Sequence, residues 1–327
     1  MTTTNTDFIN RLEEKVLAGQ DITRKEAHKL AELAGPDLYY LFAAASRIRD
    51  ARAGKKVDLC SIINAKSGRC TENCKFCAQS AHYQTGVEVY DLLDEEAIFE
   101  RARQMEAEGA RRFSLVTSGR ELNRANFAKV LAIYRRLARE TNLKLCASLG
   151  IVTEDMAGQL QEAGVTMYHH NLETSESFFP YICTTHSYQD RIDTIKACQA
   201  AGLDVCSGGI ISMGETMAQR LEMAFALREL KVQSVPINIL NPIKGTALEN
   251  QPLLPPLEIL QTIANFRFIL PGAMLRFAGG RANALRNLQA MGYLAGINAA
   301  LVGSYLTTSG RTVAEDIQMI LDMGLEV

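Results

Sequence analysis

The chain has 327 residues, 47% of them apolar and none of them Trp, with a formal net charge of −2. That balance excludes a basic field for nucleic acid and a polybasic membrane anchor. No apolar run reaches the ~18 residues that span a bilayer, and the start, MTTTNTDFINRLEEK, lacks the apolar core of a signal peptide, so a cytoplasmic protein with reduced thiols is expected.

The first fifty residues read as helices. Phe8, Ile9, Leu12, Val16 and Leu17 repeat at helical spacing. Thr23 and Glu26 form a capping box that opens a second helix, which ends near Gly35-Pro36. From there the chain alternates. Short β-rich runs stand at DLCSIINA, RFSLVTS, KLCASLG, TMYHHNL, DVCSGGI, SVPINIL, AMLRFAG and INAALVG, with amphipathic stretches between them, several of which end in Gly. Eight strands, each followed by a helical segment, predict an α/β fold, a (βα)8 TIM-type barrel over residues 56–327 behind a helical extension at 1–55. A doubly wound open sheet is the competing arrangement.

Four of the eight cysteines fall between Cys60 and Cys77. Cys70, Cys74 and Cys77 form C-x3-C-x2-C in the loop after the first strand, on the face where barrels carry their chemistry. Three thiolates cannot close a tetrahedral structural zinc site, which wants four ligands. They can hold an iron–sulfur cubane with one iron left open. A zinc or redox-inert cysteine knot is the bland alternative.

This motif, with Phe76 just before the last cysteine, resembles the radical S-adenosylmethionine superfamily. That resemblance implies a 4Fe–4S cluster on Cys70, Cys74 and Cys77 whose open iron binds S-adenosylmethionine. NAKSGRCTENCKFCAQS, YHHNLET, VCSGGI, SVPINIL and LRFAGGR are similar to the biotin synthase family within it. The resemblance implies sulfur insertion into dethiobiotin, with the sulfur drawn from an auxiliary cluster inside the barrel. That cluster is 2Fe–2S in the family, held by three cysteines and an arginine.

Carried over residue by residue, the auxiliary ligands fall on Cys146, Cys206 and Arg276, but the fourth falls on Ser114, a hard and poor ligand for sulfide-bridged iron. Cys60 offers a replacement. Aligned by their strand entries, Cys60, Cys146, Cys206 and Arg276 lie on strands one, three, five and seven, and alternate strands fill one interior layer. The bland reading makes Cys60 a small buried hydrophobe. With Cys60 as ligand, the cluster can differ in nuclearity from 2Fe–2S.

The resemblance further implies nucleoside or ureido contacts from Asn171, Glu173 and Asn238, a basic group near the substrate at Lys66, and carboxylate contacts at Thr307 and Thr308. Gly208 and Gly209 would leave room for the methionine moiety. His169 replaces an asparagine of some relatives, which puts its substrate contact in doubt. His170, Cys183 and Cys198 read as structural. An electron donor such as flavodoxin or ferredoxin, cluster-assembly proteins and a homodimer complete what the family implies. The competing functions are a relative that runs the same barrel without inserting sulfur, and a non-catalytic metal scaffold.

Overall fold

The computed structural model describes residues 4–303, 305, 306 and 310–327. Three helices open the chain: α1 (Asn5–Leu17), α2 (Arg24–Ala31) and α3 (Asp37–Ala53). Capping boxes start the first two, with Thr4 and Thr23 each accepting from the N3 amide while Asp7 and Glu26 reach back. The α1 stripe Phe8, Ile9, Leu12 and Val16 is buried in a core continuous with that of the barrel. Gln261 Nε2 donates to the Ala31 and Leu33 carbonyls at 3.0 and 2.9 Å, closing the orphan end of α2.

The strands are β1 (Asp58–Lys66), β2 (Arg112–Thr117), β3 (Lys144–Ser148), β4 (Val165–His169), β5 (Asp204–Cys206), β6 (Gly209–Ile211), β7 (Ser234–Ile239), β8 (Met274–Phe277) and β9 (Ala299–Leu301). All pair in parallel, in the order β5-β4-β3-β2-β1-β9-β8-β7-β6. The Cys206↔Ser234 pairing joins β5 to β7 and closes the ring. Closure removes both sheet edges and rules out the doubly wound alternative.

Strands β5 and β6 are two halves of one stave, so the barrel has the eight staves predicted. The stave breaks opposite Pro236, which has no N–H to give the ladder. The ladder resumes at Gly209↔Ile237.

Helices α4 (Glu95–Ala107), α5 (Arg124–Glu140), α6 (Glu154–Glu162), α7 (Phe179–Ile182), α8 (Tyr188–Ala200), α9 (Met217–Glu229), α10 (Pro256–Ile269), α11 (Arg281–Leu285), α12 (Gln289–Leu294) and α13 (Val313–Asp322) complete the chain. No helix among the described residues is long and apolar enough to cross a membrane.

Candidate active site: two thiol groups in one barrel

The 67–83 loop after β1 folds back on itself. Cys70 N donates to Gln79 O at 3.0 Å and Ala81 N to Cys70 O at 2.8 Å. Gly68 turns the chain out of the strand at φ +76°, and a Cβ there would lie 2.7 Å from Val89 Cγ2. Cys70, Cys74 and Cys77 all line one open chamber of about 220 Å³, together with Phe76, His169, His170, Asn171, Glu173 and Arg191. Phe76 packs against the apolar group of Ile182, Met213 and Leu240, which fixes the loop beside Cys77. Burial pushes the Cys77 thiol up to about 11. Thiols set apart around a chamber suit a multi-iron cluster, whose ligands go to separate irons.

Cys183, read from sequence as structural, lies beside Cys74. Its sulfur, that of Cys74 and a His186 ring nitrogen are all within 4.8 Å of one another. The neighbouring Cys74 sulfur lowers the Cys183 thiol, against burial and with help from the His186 ring. The same contact raises Cys74, and burial adds to it. Glu72 hydrogen-bonds His186 Nδ1 and Thr185 Oγ1. Sequence places Cys183, after FFPYI, in a loop over the barrel mouth, but its contact with Cys74 joins residues far apart in the chain. Cys198 is fully buried in α8, where burial alone pushes its thiol up to about 12.

Deeper in the barrel lies a second thiol group. Ser114 is level with Cys146 on β3 and with Ile62 on β1. Cys60, two residues before Ile62, keeps the inward parity, so the barrel's stagger brings it toward Cys146. The Cys60 and Cys146 sulfurs and a His169 ring nitrogen lie within 4.8 Å of one another. The Cys146 hydrogen bond lowers the Cys60 thiol; burial opposes this and the Arg276 charge assists it. Cys206 packs with Cys146 and Met167 and donates to Ser234 Oγ at 3.3 Å. Ser114 Oγ is fully buried and has no hydrogen-bond partner.

Arg276 reaches the same space from β8. Its Nη2 donates to Asp58 Oδ1 at 2.6 Å, its Nη1 to the Asp58 and Ala300 carbonyls at 3.2 Å, and its Nε has no partner. Arg112 Nε also donates to Asp58, at 3.0 Å. Burial works against the Arg276 charge, but Cys60 and Asp58 outweigh it and hold the guanidinium above its ordinary pKa. Asp58 and Arg112 were missed from sequence, although Asp58 stands two residues before Cys60. The interior meets the needs of a sulfide-bridged iron centre: inward thiols, a buried positive charge beside them, and orphaned polar atoms at Ser114 and Arg276.

The remaining candidates divide. Asn171 and Glu173 line the chamber, and Asn171 Nδ2 donates to Glu173 Oε2 at 3.3 Å. Glu173 holds a left-handed φ of 70°, a conformation that a non-glycine residue rarely adopts and that marks functional sites. Burial raises its carboxyl, while Arg191, 3.7 Å away, pulls the other way. His170 is buried, with Nε2 unpartnered.

Asn238 is not among the chamber's lining residues. It stitches the barrel rim, its Nδ2 donating to Gly209 O at 3.2 Å and its Oδ1 accepting from Gly279 N at 3.0 Å. Nor do Gly208 and Gly209 open onto the chamber. A Cβ at Gly208 would meet Pro236 O at 2.0 Å, and one at Gly209 would meet Glu173 O at 2.5 Å. The chain itself fills the Cβ side of both glycines. Lys66 Nζ donates to Ser118 O at 3.1 Å. Thr307 and Thr308 lie outside the described residues.

A family model of the Radical SAM superfamily matches residues 65–227, and one of the Biotin and Thiamin Synthesis associated domain matches 236–326. Biotin synthase of Heliobacterium modesticaldum is 64% identical over 320 residues, covering 98% of each chain. That of Pelotomaculum thermopropionicum is 57% identical, covering 98% of this chain and all of its own. Among solved structures, methylornithine synthase has a TM-score of 0.82 at 19% identity, over 96% of each chain. The FeFe-hydrogenase maturase of Carboxydothermus hydrogenoformans also has a TM-score of 0.82, at 17% identity, over 97% of this chain and 78% of its own. Those two likenesses carry the fold alone. By its full-length identity to the biotin synthases, the chain belongs to the biotin synthase family of the radical S-adenosylmethionine superfamily.

Proposed function

We propose that this chain makes biotin from dethiobiotin with Cys70, Cys74 and Cys77 at the mouth of the barrel and Cys60, Cys146 and Cys206 in its interior as two separate ligand groups. The observation that carries this is the presence of both groups at different depths of one barrel, one lining the chamber and the other inside it. When bound, the 4Fe–4S cluster offers an open iron to S-adenosylmethionine and an electron for its cleavage, and the auxiliary centre supplies sulfur.

The chain's own residues orient and shield this chemistry. Asn171 and Glu173 present an amide and a carboxylate to the chamber as partners for nucleoside hydroxyls or a ureido ring. Asn171 Oδ1 accepts from Gly208 N at 3.2 Å, and Arg191 Nη1 donates to Asn171 O at 2.9 Å, so that corner is preorganised. Lys66 brings positive charge to the end of β1, and Thr307 and Thr308 complete the substrate contacts in this reading. Arg276, paired with Asp58, keeps positive charge against the buried thiolates.

The same reading treats residues 1–55 as a helical cap on a catalytic unit of residues 56–327. It includes a flavodoxin- or ferredoxin-type reductant, cluster-assembly partners, a second copy of the chain and a cytoplasmic setting. Anaerobic incubation with dethiobiotin, S-adenosylmethionine and reductant tests the function. Biotin is the expected product; 5′-deoxyadenosine formed with dethiobiotin unconsumed would overturn it.

A further inference from the structure

The C-x3-C-x2-C loop has two chemically active neighbours that the two-cluster mechanism leaves idle. Cys183 and His186 stand in the loop between α7 and α8. Hydrogen bonds stitch that loop to the cysteine loop: Lys75 N donates to Ile182 O at 3.0 Å, Asn73 N to Thr185 Oγ1 at 3.1 Å, and Thr184 N to Asn73 Oδ1 at 3.0 Å. The two loops therefore present their side chains to each other in a fixed relation.

At their seam the Cys74 and Cys183 sulfurs and a His186 ring nitrogen lie within 4.8 Å of one another, and Cys183 Sγ is 3.3 Å from His186 Nδ1. With zinc–sulfur and zinc–nitrogen bonds of about 2.3 and 2.0 Å, tetrahedral donors sit roughly 3.5–3.8 Å apart, so the group needs little movement to close on one ion. Glu72 offers a fourth donor. Its Oε2 accepts a hydrogen bond from the same His186 Nδ1, and it faces that position once a metal displaces the proton. Glu72, Cys74 and Cys183 are buried, yet Glu72, Cys74 and His186 line the chamber, which gives an ion its way in. The C-x3-C-x2-C loop alone cannot close a four-ligand zinc site; the second loop supplies what it lacks.

We propose that Cys74, Cys183, His186 and Glu72 form a mononuclear zinc site that fills only while the 4Fe–4S cluster is absent. The exclusion rests on the reading that Cys74 is a cluster ligand, since one sulfur cannot serve both. Binding releases the two thiol protons to solvent and takes His186 as neutral imidazole, and no electron moves. A zinc ion there holds one cluster ligand out of reach of the cubane, so zinc and cluster compete for the same loop.

The test uses the full chain stripped of iron without oxygen, in a Cys146→Ala background that breaks up the interior thiols. Zn2+ titrated against a chromophoric chelator should bind at one equivalent, and X-ray absorption should show two sulfur ligands, the rest nitrogen or oxygen. Cys183→Ser and His186→Gln, with circular dichroism matching the parent, should each weaken binding by more than about tenfold, since even an outer partner of a metal ligand is worth that much. Cys70→Ala should leave the affinity as it is. Zinc bound before iron and sulfide are supplied should slow growth of the 4Fe–4S chromophore, and Cys183→Ser should abolish the delay. No tight zinc, or three sulfur ligands with binding lost in Cys70→Ala and kept in Cys183→Ser, overturns the proposal. If Cys74→Ala loses the zinc but still assembles the 4Fe–4S cluster, the zinc site stands and the reading of Cys74 as a cluster ligand fails.

Discussion

The two thiol groups are built in opposite ways. Cys70, Cys74 and Cys77 lie within eight residues of one loop, which is held by a few backbone hydrogen bonds and the Phe76 anchor. Cys60, Cys146 and Cys206 come from three strands far apart in the chain and are set by the barrel ladder. A loop can adapt around a cluster as large as a cubane. A ladder cannot, because shifting one strand by a residue turns its side chains outward. The loop site is therefore an adjustable clamp and the interior site a fixed socket. Damage to either should leave the other standing.

The largest effect should follow Cys74→Ala. Formation of 5′-deoxyadenosine should fall to the level of an enzyme-free control, with auxiliary iron and sulfide retained. Cys183→Ala should keep the cleavage activity, since Cys183 contacts Cys74 but stands outside the loop motif. Loss of cleavage in Cys183→Ala would show that the clamp extends beyond its loop.

Cys60→Ala probes the socket. It should deplete auxiliary iron and sulfide and stop biotin formation while S-adenosylmethionine cleavage continues. Collapse of both clusters together would break the comparison, because the two sites would then share one scaffold.

The difference between clamp and socket also explains what could be read from sequence. The C-x3-C-x2-C loop is legible because its spacing is local and its chemistry leaves few alternatives. The eight staves were legible from alternating β-rich and amphipathic runs, and the inward parity of Cys60 from its place in β1. What sequence could not give were contacts made by closure. The Asp58 bridge between Arg112 and Arg276, the approach of Cys183 to Cys74, and the His169 nitrogen beside two sulfurs each join residues distant in the chain. Gly208 and Gly209 show the same limit. From sequence their lack of side chains reads as room for a ligand, and only the fold shows that Pro236 and Glu173 crowd them as well.

Asp58→Ala should weaken the socket as a structure. It leaves Arg276 and Arg112 buried without their carboxylate, and breaking a buried pair this way costs about 3–5 kcal/mol, read by chemical denaturation. Burial pushes the Asp58 carboxyl up, but Arg276 and Arg112 outweigh it and hold it below the carboxylate range. A carboxyl lowered in the folded state stabilises fully above its unfolded pKa and loses that contribution as pH falls. The gap between wild type and Asp58→Asn should accordingly be whole above about pH 5 and shrink below about pH 4. A gap that widens on acidification would contradict the pairing.

Gly208→Ala should cost less, about 1–3 kcal/mol, because its Cβ would fall 2.0 Å from Pro236 O and force the β5–β7 seam apart. Since Asn171 Oδ1 accepts from Gly208 N, the strain should also raise the KM for S-adenosylmethionine or dethiobiotin. Unchanged stability would mean the stave break absorbs a methyl group that the packing leaves no room for.

The smallest effect should come from Ser114→Ala, and it separates a ligand from a lining group. Ser114 Oγ is fully buried without a hydrogen-bond partner, and an unsatisfied buried hydroxyl costs about 1–3 kcal/mol relative to a satisfied one. Removing it relieves that cost and leaves a methyl group facing Cys146 and Ile62, its partners in register. Stability should hold or rise slightly, and auxiliary iron and sulfide should match wild type. If Ser114 binds iron as an alkoxide, the same substitution must instead strip iron from the interior, and Ser114→Cys must restore it. A thiol is far easier to deprotonate than an alcohol, with a pKa near 8.5 that a bound metal readily lowers. Iron and sulfide counts on Ser114→Ala beside Cys60→Ala therefore decide which of the two side chains the socket was built around.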